Sequence, residues 1–151
     1  MDDDLLQEFV NESREHLETI ESDLLTIEEG GADIDEELVN KVLRAAHSIK
    51  GNSGFFGLEK IKELAHKAET VLDMIRSRKM APNTEITSVL LNAFDTLRDM
   101  INNSAESENA DITAQLAGLT DLASSYLPEQ QKPSVSRDVA IEAPGGSVRI
   151  P

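Results

Sequence analysis

Three residues at helical spacing carry the most chemistry in this chain. His47, Lys50 and Gly51 stand in the run Ala46-His47-Ser48-Ile49-Lys50-Gly51-Asn52-Ser53-Gly54-Phe55-Phe56-Gly57. Positions three and four apart share a face of a helix. An imidazole, an ammonium and a position without a side chain therefore fall on one small patch. His66 and Glu69 are again three apart, on a later helical stretch. A histidine of ordinary pKa is mostly neutral near pH 7 and offers a bare ring nitrogen. That nitrogen can attack an activated phosphoryl group without a strong base, and the phosphoramidate it forms can pass phosphate on to a carboxylate. The reaction asks for an exposed ring, an acceptor that fixes the tautomer and a cation that balances the phosphate. His47 meets the first need and Lys50 the third, while Gly51 clears the surface for a partner. Helix packing allows a hydrogen-bond chain Glu69–His66–His47 to meet the second.

Other uses of these residues fit less well. A single surface histidine usually has no role, and a histidine at the edge of an apolar face is usually a packed one. His16, among acids, reads as solvated. No two of the three histidines have the spacing of a zinc pair on one helix turn, and there is no cysteine. The glycine-rich run after Lys50 follows a helix instead of a strand and lacks the Lys-Ser/Thr of a phosphate-binding loop. No Ser–His–Asp set assembles from local spacing.

The elements that must position these residues are helices. Leu5, Leu6, Phe9, Val10, Leu17, Ile20, Leu24 and Ile27 recur at helical spacing and predict one helix from Leu5 to Ile27, ended by Gly30-Gly31. Asp35 reads as the N-cap of a second, from about Glu36 to Ser53, with Leu38, Val42, Ala45, Ala46 and Ile49 inward and His47 and Lys50 off that stripe. Gly51 and Gly54 are expected to loosen its end, and Phe55 and Phe56 to plug the core. A third helix spans about Leu58 to Arg78, with His66 and Glu69 at its edge. Thr84 reads as the cap of a fourth, through Ile101, and Asn102 to Asn109 as a loop. A fifth runs from about Asp111 to Tyr126. The expected fold is all-α: an antiparallel bundle of five helices, the last four forming the core and the first packed on its side. Residues 1–127 form this domain, and the proline-rich residues 128–151 read as a linker or flexible tail.

Composition agrees with a bundle. Aromatic residues are only 3% and tryptophan is absent, so the core must be aliphatic. No stretch approaches a membrane span, and the acidic start Asp2-Asp3-Asp4 is unlike a secretory signal; a cytoplasmic protein is expected. The net charge of −15 is unevenly spread. Residues 1–37 hold 15 acids and one arginine, residues 38–80 nine bases and four acids, and residues 81–151 four bases and ten acids. The one basic segment is the segment with the His47 motif, a field that suits an incoming phosphoryl group. The overall acidity argues against nucleic acid as a partner.

The His47 run resembles the signature of histidine phosphotransfer (HPt) domains. Leu64, Ala65, His66, Glu69, Leu72, Asp73 and Arg76, and the later stretch Leu90 to Arg98, resemble the version found in the first domain of CheA-type chemotaxis histidine kinases. The resemblance covers roughly residues 5 to 127. It implies that His47 is the phosphoacceptor, that Lys50, His66 and Glu69 tune it, and that Arg44 and Gly51 lie on the partner surface. It implies no cofactor in this domain, since ATP and magnesium belong to a separate kinase domain, and a response-regulator aspartate as the recipient. This chain would be substrate and carrier, monomeric as an isolated domain. One departure is Arg78-Lys79, where family members often carry glycine. The competing expectations are a carrier in another phosphorelay, fed by a response regulator, and a helical adaptor in which His47 is inert.

Overall fold

The structure, a computed structural model, describes residues 3–125. Every regular element among them is helical: α1 Asp3–Leu17, α2 Ile20–Gly30, α3 Glu36–Phe55, α4 Glu59–Arg76, α5 Thr84–Asn102, a 3-10 helix Ser104–Asn109, and α6 Thr113–Ser125. Tyr126 and the expected tail 128–151 lie outside the described residues.

The single helix expected from Leu5 to Ile27 is two, interrupted at Glu18-Thr19. The apolar spacing continues across the break, since Leu17 and Ile20 are both buried. Long-range polar contacts sit at the interruption. Arg98 of α5 donates to the Leu17 carbonyl at 3.2 Å. Lys41 of α3 donates to Thr19 Oγ1 at 2.9 Å and pairs with the buried Asp23 at 3.0 Å.

The bundle closes differently from the expectation. The α1–α2 pair packs on α3 and α5, α3 packs on α4, and α4 on α5, which completes a ring of four. α6 leans on α4 and α5 from outside. The reason is the apolar area each offers: α1 and α2 bury Phe9, Val10, Leu17, Ile20, Leu24 and Ile27, whereas α6 buries only Leu119 and Leu122. The four-helix core is therefore built from the first four predicted helices, with the fifth as the added one.

Helix ends also refine the reading. Asp35 caps α3 as expected, its carboxylate accepting from Leu38 N at 3.2 Å. The cap of α5 is Asn83, accepting from Ile86 N at 2.9 Å; Thr84 is already helical. Gly51 and Gly54 do not end α3, which runs to Phe55. The stop is Gly57, at φ 72°, with Leu58 N bonded to the Ser53 carbonyl and Gly57 N to the Gly54 carbonyl, a Schellman motif. α4 ends the same way: Lys79 N bonds the Met74 carbonyl, Arg78 N the Ile75 carbonyl, and Arg78 takes the positive φ of 63°. Phe56 packs on the core and stacks against Phe9 at 5.5 Å, but Phe55 is 76% exposed and plugs nothing. The span Asn102 to Asn109, expected as a loop, is largely the 3-10 helix. Lys60 joins its neighbourhood to α4 by bonds to Glu108 and to the Ala110 carbonyl.

Candidate functional site

α3 and α4 are the most extensively packed pair of helices in the molecule. Ala45 and Ala46 on α3 and Ala65 and Ala68 on α4 are all buried. Small side chains in a buried seam let two helix axes come close. His47 and Glu69 stand at the edge of this seam and meet across it. His47 Nδ1 lies 2.8 Å from Glu69 Oε2, with the imidazole 69% exposed and the carboxylate 19%. Lys50 Nζ donates to the other oxygen, Oε1, at 2.6 Å, and is itself 26% exposed.

The electrostatics fix the proton. Burial alone would push the Glu69 carboxyl up, but hydrogen bonds from Lys50 and His47, and the charges of both, outweigh it and hold the carboxyl below its ordinary value. An ionised carboxylate has no hydrogen to give. The hydrogen in the His47–Glu69 bond therefore sits on Nδ1, which leaves the lone pair of Nε2 on the outward edge of an exposed ring. This is the geometry of a nucleophilic imidazole with an oriented tautomer.

The sequence-predicted residues fall into three positions. His47, Lys50 and Glu69 form one hydrogen-bonded set. The relay through His66 does not form, because Glu69 reaches His47 directly. His66 is exposed and one turn away on α4, where its ring lines the same groove. Lys50 points to Glu69 instead of standing free. Gly51 is exposed, and a Cβ added there meets nothing within 4 Å. Arg44 is exposed one turn before His47.

An open groove of about 520 Å³ runs from His47 between the two helices. It is lined from α3 by Asn40, Leu43, Arg44 and His47, and from α4 by His66, Glu69, Thr70, Asp73 and Arg76. Sequence reading named neither Asn40 nor Thr70 for the site. The signal was present, since Asn40, Leu43, Arg44 and His47 follow helical spacing along one face. Among the described residues no group of three His, Cys, Asp or Glu side chains could hold a metal ion, and no helix is long and apolar enough to cross a membrane.

A helical bundle presenting one exposed, carboxylate-oriented histidine defines a class, and comparison with known proteins identifies it. The family model of the Hpt domain matches residues 4–107, and the chain belongs to that family. Within it, the chain is similar to chemotaxis protein CheA of Rhizobium meliloti (strain 1021), at 45% identity over 87 residues, 58% of this chain and 11% of that protein. Among solved structures it resembles the phosphorylated P1 domain of CheA3 in complex with CheY6 from R. sphaeroides, with TM-score 0.68 and 28% identity over 83% of this chain and 97% of that one. It also resembles the CheA phosphotransferase domain from Thermotoga maritima, with TM-score 0.61 and 27% identity over 68% and 95%. The chain thus matches about a tenth of the length of the CheA relative.

Proposed function

We propose that this chain is the phosphocarrier domain of a CheA-type histidine kinase and that His47 is its phosphoacceptor. The observation that carries the reading is the His47 Nδ1–Glu69 bond of 2.8 Å on a ring 69% exposed. In the first step Nε2 attacks the γ-phosphorus of ATP held by a separate kinase domain. The Nε2–P bond forms, the bond to the bridging oxygen breaks, and ADP leaves with the electron pair. The ring becomes cationic, and Glu69 stabilises that charge through Nδ1–H. In the second step an aspartate oxygen of a response-regulator receiver attacks the same phosphorus, and the P–N electron pair returns to the ring.

In this reading Glu69 and Lys50 are positioning residues. Lys50 holds one carboxylate oxygen so that the other faces the ring. His66 lines the groove, and Arg44 and Gly51 lie under the incoming partner. The domain itself binds no ATP or magnesium; the whole protein works in the cytoplasm, and the isolated domain is a monomer. The similarity to a phosphorylated domain solved with a response regulator supports the choice of recipient.

The test is phosphorylation of this chain by Mg-ATP and a chemotaxis kinase core that lacks its own phosphotransfer domain, with H47Q alongside. Acid-labile, base-stable label on the wild type and none on H47Q is expected. Label that persists in H47Q would overturn the assignment.

A further inference from the structure

We infer that Arg44, and not Lys50, is the cation that holds the phosphoryl group once it sits on His47. The inference rests on His47 being the phosphoacceptor, and adds to that reading the residue that binds the transferred group.

The charged side chains that line the groove are Arg44, Glu69, Asp73 and Arg76, beside the rings of His47 and His66. A phosphoryl group on Nε2 brings up to two negative charges next to two carboxylates, Glu69 and Asp73. Glu69 is saturated, one oxygen taken by His47 and the other by Lys50. Asp73 is paired with Arg76, three residues on along α4. If Lys50 swung to the phosphate, Glu69 Oε1 would lose its partner and His47 its anchor at the moment the ring becomes cationic. Next to Arg44 on α3, Lys41 is bound to Asp23 and Thr19 of α2, and Glu12 of α1 contacts Asn52. Arg44 is what remains: a groove-lining guanidinium that pairs with no side chain among the described residues.

Its placement suits the role. Side chains on a helix lean toward its N-terminus, so the His47 ring lies over the preceding turn, the turn of Leu43 and Arg44. The groove opens on that side of the ring. A guanidinium presents a planar fork of donors that matches two phosphoryl oxygens at once. His66, across the groove, adds a ring nitrogen on the opposite wall.

The test charges the full chain without any protein partner. With phosphoramidate as donor, Nε2 attacks phosphorus, the N–P bond to the ring forms, the donor P–N bond breaks, and ammonia leaves with its electron pair. The phosphoryl group is then titrated by 31P NMR in the wild type, R44A, R44K and R44E. A cation at hydrogen-bond distance holds the phosphoryl pKa down. R44A is expected to raise it by about half a unit, R44E to raise it further, and R44K to restore part of the shift. A purely structural role for Arg44 would not move this value. R44A and R44E titrating with the wild type would overturn the assignment of Arg44 and leave His47 standing. A wild-type chain that takes no phosphate at His47 would overturn both.

Discussion

At the scale of single residues, the site depends on a carboxylate held in the ionised state by two donors. Replacing Glu69 by glutamine keeps the shape and removes the charge. The Nδ1–H tautomer is then no longer enforced, and the competent fraction of His47 falls. E69Q is expected to slow charging by phosphoramidate on the order of tenfold, in step with the tautomer population read from ring 15N shifts. Stability should follow the same group. Because the Glu69 carboxyl is held below its ordinary value of 4.5 in the fold, its stabilising contribution is present above that pH and is lost as pH falls through the lowered value. The gap in urea midpoint between wild type and E69Q should therefore be open at neutral pH and close below pH 4.5; a gap that stays open in acid would contradict this. Gly51 gives a prediction of opposite signs. A methyl there meets open space and replaces glycine within a helix, so G51A should stabilise the fold by about 0.5–1 kcal/mol. It should also slow transfer to a receiver, since on the proposed reading Gly51 lies under the incoming partner. Periodicity made His47, Lys50 and Gly51 legible as one exposed patch. It could not decide between His66 and Glu69 as the contact to His47, because both share one face of α4 and only the register of α3 against α4 chooses. Nor could it see that Lys50 is already taken, since that follows from the same register.

At the scale of elements, the two helices that build the site end in the same motif with different residues. Gly57 closes α3 in the left-handed region at no steric cost, whereas Arg78 closes α4 there with a side chain. The departure from glycine seen in the sequence thus falls on the residue where glycine is favoured. Arg78 does offer something in exchange, a 2.8 Å ion pair to Glu36 at the start of α3, whose hydrogen bond and charge hold that carboxyl below its usual range. Exposed pairs of this kind contribute little. R78G is therefore expected to raise stability by up to about 1 kcal/mol in urea unfolding, with charging of His47 unchanged. The helices themselves were readable from apolar spacing. The break at Glu18-Thr19 was not, because the apolar stripe runs through it and the groups at the break, Arg98 and Lys41, come from distant parts of the chain. The error about which helices close the core has a similar origin: periodicity shows that a helix has a buried face but not what it is buried against.

At the scale of the whole molecule, charge is partitioned by element. Most acids of residues 1–37 ride on α1, α2 and the loop after them, whereas α3 and α4, the two helices of the site, are close to neutral, with seven bases against six acids once Glu36 and Glu37 are counted on α3. A nearly neutral face on a strongly negative protein is where an acidic partner meets least repulsion. Screening of that repulsion should speed transfer to an acidic receiver as salt is raised, while charging by a small donor should change far less; equal changes in both would argue against a long-range effect. The cross-helix bond at the centre of the site has one more consequence. His47 and Glu69 are 22 positions apart and meet only when α3 and α4 are docked. Nothing local to either helix gives the histidine its tautomer. Reactivity is in this sense an emergent property of tertiary assembly: a chain still being made, or one partly denatured, carries the same histidine without the same chemistry. On the proposed reading a chain that has not folded takes phosphate no faster than a free histidine, and the rate of phosphoramidate labelling doubles as a probe of whether the bundle has formed.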